Sequence, residues 1–131
     1  MPIKPTIQLG NTVIRQRAKT VKDISLPKVQ KTIKNLIDSM RHDNLVGMAA
    51  PQIGKGWRVF VTEIRQTTYR KNIAKGDPLR VFINPKITRS SKKLQSGYEG
   101  CGSVAQAGLF GVVKRSQDLI CFARTVLAEP Y

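Results

Sequence analysis

An α+β fold is predicted by three features of the sequence: one stretch with helical periodicity and two short stretches rich in aromatic and β-branched residues. The chain has 131 residues, 40% of them hydrophobic, which is enough for one compact domain with one core. No internal repeat or shift in composition indicates a domain boundary. We therefore expect residues 1–131 to form a single domain.

The predicted helix covers residues 28–40. Ser25 can cap its first turn and Pro27 is suited to begin it, whereas Asn44 is typical of the region beyond its end. Before the helix, residues 7–15 combine short apolar pairs with turn residues and indicate an extended arm. The apolar face of the helix consists of Val29, Ile33, Leu36, Ile37 and Met40.

Strands are predicted at residues 57–62 and 79–83, where aromatic and branched side chains are concentrated. Residues 111–113 indicate another short strand. Polar residues and turn formers occupy 66–78 and 90–97, which we expect to be surface connections.

The end of the sequence carries a different apolar spacing. Phe122, Ala123, Val126 and Leu127 recur as they would on one face of a helix. We therefore expect a final amphipathic helix.

Net charge is the strongest compositional signal. The chain has 23 Lys and Arg residues against 8 Asp and Glu, a formal charge of +15, so polyanions such as ribosomal RNA attract it at low salt. The basic clusters at 65–75 and 89–93 lack the interleaved aromatic residues of an RNA-stacking surface. A possible ribosome association therefore rests on a basic surface, with no preference for a nucleic-acid sequence.

Two features bear on the cellular compartment. No apolar run is long enough to span a bilayer, and the N-terminus lacks the apolar stretch of a secretory signal, so no membrane partner is expected. The two cysteines, Cys101 and Cys121, do not indicate a disulfide scaffold. We expect a cytoplasmic protein with thiols free to bind metal.

Two unusual strings carry the chemistry. In Glu99-Gly100-Cys101-Gly102-Ser103, the glycines on either side of Cys101 allow a ligand to approach the backbone, and the thiolate is a candidate metal ligand. A lone cysteine is more often a small buried apolar residue. In Gly47-Met48-Ala49-Ala50-Pro51-Gln52, the proline fixes the backbone and Gln52 presents an amide that can donate and accept hydrogen bonds.

These strings resemble two of the three signature motifs of the peptide deformylase family, and the resemblance covers roughly Ile3 to Arg115. It implies antiparallel strands around a central metal-binding helix. It also implies a metallohydrolase that removes the formyl group from N-formylmethionine on nascent chains. A divalent metal, Fe²⁺ or Zn²⁺, would be held by Cys101 and by two histidines of the third motif.

The same resemblance implies roles for individual residues. Gln52 and the backbone N–H of Gly102 would stabilise the oxyanion, while Gly47 and Met48 would bind the backbone and the methionine side chain of the substrate. The metal would lower the pKa of its bound water, and a glutamate beside the first histidine would manage the proton.

The sequence departs from the family pattern in two places within the motifs. Leu45 stands where the first motif usually has glycine, and Gly102 stands where the second usually has leucine. The first change is expected to alter the loop or the substrate pocket. The second retains the backbone contact, and neither removes the metal-binding thiol.

The third motif, His-Glu-x-x-His, is missing or degraded at the C-terminus. The single histidine, His42, precedes the first motif and matches neither family ligand. Aligning Glu129 with the family glutamate places Ala128 at the first histidine, although Glu129 is equally explained as a charged residue without a role. We expect the domain to be truncated or degraded after about residue 115, its metal-binding helix to be incomplete, and the isolated chain to be inactive.

Three functions remain open. By ancestry the chain is a peptide deformylase, impaired here. It could instead be a non-catalytic relative that keeps a peptide-binding groove at Gly47 and Met48. The third possibility is a basic module associated with ribosomes or RNA, although no RNA-binding motif is present.

Overall fold

The computed structural model describes residues 3–127, with side chains described through residue 124. Its helices are α1 (Thr12–Arg15) and α2 (Pro27–His42), with short 3-10 turns at Ala50–Ile53 and Ala105–Ala107. Its strands are β1 (Gly47–Ala49), β2 (Val59–Ile64), β3 (Asp77–Ser90), β4 (Leu94–Gly100), β5 (Phe110–Ser116) and β6 (Leu119–Leu127).

The strands form two antiparallel sheets. The larger sheet has the order β1-β2-β3-β6, and β4 pairs with β5 in a separate hairpin. Helix α2 packs against β1 and β2. One helix covering an antiparallel sheet confirms the predicted α+β fold.

The core lies between α2 and the larger sheet. Strands β2 and β3 alternate buried and more exposed residues, as a sheet with one covered face does. Leu36 of α2 has no exposed surface, and burying such a side chain stabilises the fold by about 1.5–3 kcal/mol. The buried apolar residues from these elements include Val29, Leu36, Ile37, Met40, Val59, Val61, Val81 and Ile83.

The predicted α2 is confirmed, but its capping residue is not. Leu26 occupies the N-cap without a side-chain hydrogen bond, while the Ser25 hydroxyl donates to Asp23 instead. Pro27 does begin the helix. At the other end, Asn44 adopts a left-handed conformation with φ of 58°, and this turns the chain away from the helix axis towards β1.

The predicted final helix is wrong. Residues 119–127 form β6, which pairs with β3 from Ser90↔Leu119 to Arg80↔Leu127. The segment is rich in branched and aromatic residues, and the long β3 offers it a pairing edge. Apolar spacing over so few residues fits either period, so the distant strand decides the conformation.

Two smaller expectations also fail. Residues 12–15 of the predicted extended arm are helical, because the Asn11 side chain accepts a hydrogen bond from the Val13 N–H at 3.1 Å and caps the turn. The polar connection predicted at 90–97 is shorter, since β3 continues through Ser90 and β4 begins at Leu94. The short strand predicted at 111–113 is confirmed within β5.

The hairpin and the neighbouring strand β6 expose large apolar side chains, with Tyr98 81% exposed and Phe122 75% exposed. In the part of the chain that the structure describes, no helix combines the length and apolar character needed to cross a bilayer.

Candidate functional site

The first motif folds as a strand followed by a tight turn. Residues 47–49 form β1, and the 3-10 turn that follows begins at Ala50 and contains Pro51, whose fixed φ suits the first turn of a helix. The turn brings the side chain of Gln52 back to the end of β1, where its Oε1 accepts a hydrogen bond from the Ala49 N–H at 2.9 Å. This bond fixes which end of the amide is left to face the second motif.

The second motif meets that free end. Gln52 Nε2 donates to the Ser103 hydroxyl at 3.1 Å and lies 4.0 Å from Cys101 Sγ. Ser103 is buried, whereas Cys101 is exposed. The structure therefore brings Gln52 and Cys101 together, although 49 residues separate them in the chain.

The turn that carries Cys101 is held from several sides. The Val104 N–H donates to the Cys101 carbonyl at 3.0 Å, which closes the turn. Gly102, at its centre, is buried, and its carbonyl accepts from Gln8 Nε2 at 2.9 Å. Among the residues that the structure describes, none accepts a hydrogen bond from the Gly102 N–H.

The N-terminal arm ties the two motifs to each other. The Ile7 N–H donates to the Gln52 carbonyl and the Leu9 N–H to the Ser103 carbonyl, both at 2.7 Å. Gln8 lies between them and uses both ends of its amide, since its Oε1 also accepts from the Gln106 N–H at 3.0 Å. Sequence reasoning missed Gln8, because nothing in a short arm of mixed residues distinguishes a strap from a solvated segment.

Gly47 and Met48, the predicted substrate-binding residues of the first motif, differ in burial. Gly47 is half-buried in β1, which is an edge strand of the larger sheet. Met48 is only 2% exposed and its side chain belongs to the core. Met48 therefore offers almost no surface to a bound peptide.

Glu99 is the carboxylate nearest to Cys101 in sequence, and it is engaged elsewhere. Its two oxygens accept from Arg115 Nε and Nη2 at 2.8 and 2.7 Å, across the β4–β5 hairpin. This hydrogen bonding lowers the pKa of Glu99 below its usual range. A carboxylate held in its charged form is a poor proton donor at neutral pH.

His42 lies at the end of α2, where its side chain is 59% exposed and its Nδ1 is 3.0 Å from Asp43 Oδ1. It shares with Gly102 the lining of a cavity of ≈ 590 Å³ between the N-terminal arm and the end of α2. Within residues 3–127, no three His, Cys, Asp or Glu side chains converge as metal ligands would. Glu129 lies outside the described residues.

The metal requirement can be tested against these donors. A catalytic zinc centre uses three protein ligands and one open position. Where the two motifs meet, the described residues supply one strong ligand, the exposed Cys101 thiol, with the Gln52 amide beside it. Taken alone, they do not fit a tightly bound metal ion.

The sequence is similar to those of known proteins. A family model described as polypeptide deformylase matches residues 3–126. The chain is 37% identical over 115 residues to peptide deformylase 2 from Nostoc sp. and 36% identical over 119 residues to a peptide deformylase from Desulforudis audaxviator. These matches cover 88% and 91% of this chain, but only 63% and 69% of the two relatives.

Solved structures with the same fold include several deformylases. A class I type b peptide deformylase from Acinetobacter baumannii aligns with a TM-score of 0.85 at 22% identity, covering 98% of this chain and 85% of that protein. The peptide deformylase from Thermotoga maritima aligns with a TM-score of 0.73 at 25% identity, covering 98% and 84%. The arrangement of strands and helix described above is therefore a fold that these proteins share.

Proposed function

The chain belongs to the polypeptide deformylase family, and from that premise we propose that it is a peptide deformylase-type metallohydrolase, impaired in this chain, that removes the formyl group from the N-terminal methionine of newly made proteins. The observation that carries this proposal is the meeting of Gln52 Nε2 with the turn at Cys101 and Ser103. We regard residues 1–131 as one domain of this family, acting in the cytoplasm.

Two donors would stabilise the charge that develops on the formyl oxygen. Gln52 Nε2 is oriented by the bond between its Oε1 and the Ala49 N–H, and the Gly102 N–H has no acceptor among the described residues. Both lie beside Cys101. Donors fixed in advance need no reorganisation as the oxyanion forms, and the loss of one such donor costs about 10²–10³ in kcat.

Cys101 would supply the thiolate ligand to a divalent metal, Fe²⁺ or Zn²⁺. In a complete family site this ion supplies an activated water at neutral pH. Two more ligands are required, and His42, the single histidine, lies at the end of α2. We propose that these 131 residues alone bind metal weakly and do not hydrolyse the formyl group, and that Glu129 handles the proton only where two histidine ligands are supplied.

The substrate would lie along the edge of the larger sheet. Among the residues that the structure describes, strand β1 has a neighbour on one side only, so its other side can pair with an extended peptide. Gly47 lies on that strand without a side chain, and Met48 would support the peptide from the core, where it is buried.

A second function is favoured by the composition. With a single histidine, the chain fits a non-catalytic relative that binds N-formylmethionyl peptides without cleaving them. The charge of +15 supports a further association with ribosomal RNA, which would be non-specific and sensitive to salt.

The experiment is to purify the chain anaerobically with Fe²⁺ or Zn²⁺ and to measure bound metal, deformylation of a formyl-Met peptide and binding of that peptide. A Cys101→Ser variant is the matched control. We expect peptide binding with little metal and no turnover. Stoichiometric metal with Cys101-dependent turnover would overturn the proposed impairment, and a folded chain that does not bind the peptide would overturn the proposed groove.

A further inference from the structure

A side chain at position 102 would meet the side chain of Leu45. A Cβ atom added to Gly102 would lie 2.6 Å from Cδ1 and 3.7 Å from Cδ2 of Leu45, and 3.5 Å from Cγ2 of Thr6. The first distance is shorter than non-bonded carbon atoms tolerate. Leu45 itself is half-buried and packs against the core. Its isobutyl group therefore fills the space that any larger residue at position 102 would need.

The contact joins the segment before β1 to the turn that carries Cys101. With leucine at 45 and glycine at 102, one isobutyl group fills the space between the two. Removing that group would leave a void, and adding a second side chain at 102 would crowd it.

The backbone of Leu45 is anchored independently of that contact. Its N–H donates to the Met40 carbonyl at 3.0 Å, which fixes it to the last turn of α2. Its side chain lines the ≈ 590 Å³ cavity together with Gly102, and it also lines a second cavity of ≈ 340 Å³ together with Tyr98. Leu45 thus forms a wall that the two cavities share.

We infer that Leu45 is a positioning residue for the second motif, that glycine at 102 lets its side chain pack there, and that this packing affects the binding of a peptide beside Cys101. A glycine without a packed neighbour samples a wide range of backbone angles. The Leu45 side chain restricts residue 102 on one side, while Gln8 holds its carbonyl on another. The effect on peptide binding rests on the proposed function, whereas the positioning of Cys101 does not.

The test is a double-mutant cycle in the full chain, carried out with Cys121→Ser so that Cys101 is the only thiol. The variants are Leu45→Gly, Gly102→Leu and both together. Two matched controls are Leu109→Gly, at an exposed leucine, and Gly111→Leu, where an added Cβ meets no atom within 4 Å. If Leu45→Gly does not fold, Leu45→Ala replaces it, because it also removes both Cδ atoms.

Three quantities are measured for each variant: Tm, the rate at which iodoacetamide alkylates Cys101, and affinity for a formyl-Met peptide. We expect each single change to lower Tm by about 5 °C or more, through overpacking or a cavity, and the double variant to recover at least half of the summed loss. We also expect both single changes to move the alkylation rate beyond the range of the two controls, and the double variant to restore it.

Additive losses in Tm would overturn the pairing. Recovery of Tm without any change in alkylation rate would show a packing contact only and overturn the positioning role. If Tm and alkylation are both coupled but neither the parent chain nor any variant binds the peptide, positioning stands and the proposed peptide-binding function fails.

Discussion

Replacing Gln52 with leucine should destabilise the chain, because two polar groups lose their hydrogen-bond partner. The Gln52 side chain accepts from the Ala49 N–H and donates to the hydroxyl of Ser103, a residue with only 5% exposure. Leucine has a similar size but offers neither hydrogen bond. An unsatisfied buried group costs about 1–3 kcal/mol, so we expect a loss of about 2 kcal/mol in the free energy of unfolding.

Urea unfolding provides the assay. With an m-value of about 2 kcal/mol/M, that loss lowers the midpoint by about 1 M at unchanged slope. Gln52→Glu is the matched control, because a carboxylate still accepts from Ala49 and can accept from the Ser103 hydroxyl. It should cost much less than leucine while removing the N–H that faces Cys101.

A second comparison isolates the contact with Ser103. In a Ser103→Ala background the hydroxyl is gone, so Gln52→Leu should cost less than it does in the parent chain. Equal losses in the two backgrounds, or a midpoint shift for Gln52→Leu no larger than that for Gln52→Glu, would refute the geometry from which this magnitude is derived.

Other predictions concern charge and packing. The pKa of Glu63 is lowered chiefly by the hydrogen bonds that it accepts from Arg41. The stability that the Glu63 carboxylate contributes is therefore present above the ordinary carboxyl pKa and is lost as the pH falls through the pKa of the folded state. In Glu63→Gln, the free energy of unfolding should depend less on pH in that acidic range. Arg115→Ala should raise the pKa of Glu99 towards its usual range, which an NMR titration of the carboxyl would detect and which an unchanged midpoint would contradict. Leu36→Ala should lower the free energy of unfolding by about 2–5 kcal/mol, measured by chemical denaturation, because the Leu36 side chain is fully buried. A loss below about 1 kcal/mol would show that the neighbouring side chains close the space and leave no cavity. Binding to unrelated RNA sequences should weaken equally and steeply with added salt in a filter-binding assay, whereas discrimination among sequences would argue for a dedicated RNA site.

Local periodicity was enough to predict α2 and the central strands. The helix repeats apolar residues over about three turns, and one face of it is buried as that repeat requires. The segment ending at Leu127 carries a shorter and ambiguous pattern, and its conformation is set by β3, which precedes it in the chain by about thirty residues or more. Long-range pairing of this kind leaves no local signal.

Some contacts in the candidate site could be expected from the sequence, and others could not. The proximity of Gln52 and Cys101 was implied by family resemblance, since the two motifs are unusual strings in a fixed order. Two other contacts have no such signal. Gln8 belongs to an unremarkable arm, and the contact between Leu45 and Gly102 is visible in the sequence only as two separate departures.

The N-terminal strap has a consequence for synthesis on the ribosome. Gln8 leaves the exit tunnel early, yet it bonds Gly102, which is 94 residues further along, and Gln106, which is 98 residues further along. Contacts that close such long loops form late and slow the folding of a small domain. The bonds made by Gln8 therefore form only after residues 102–106 have emerged, and a chaperone or a fusion partner that captures the arm would delay assembly of the turn that carries Cys101.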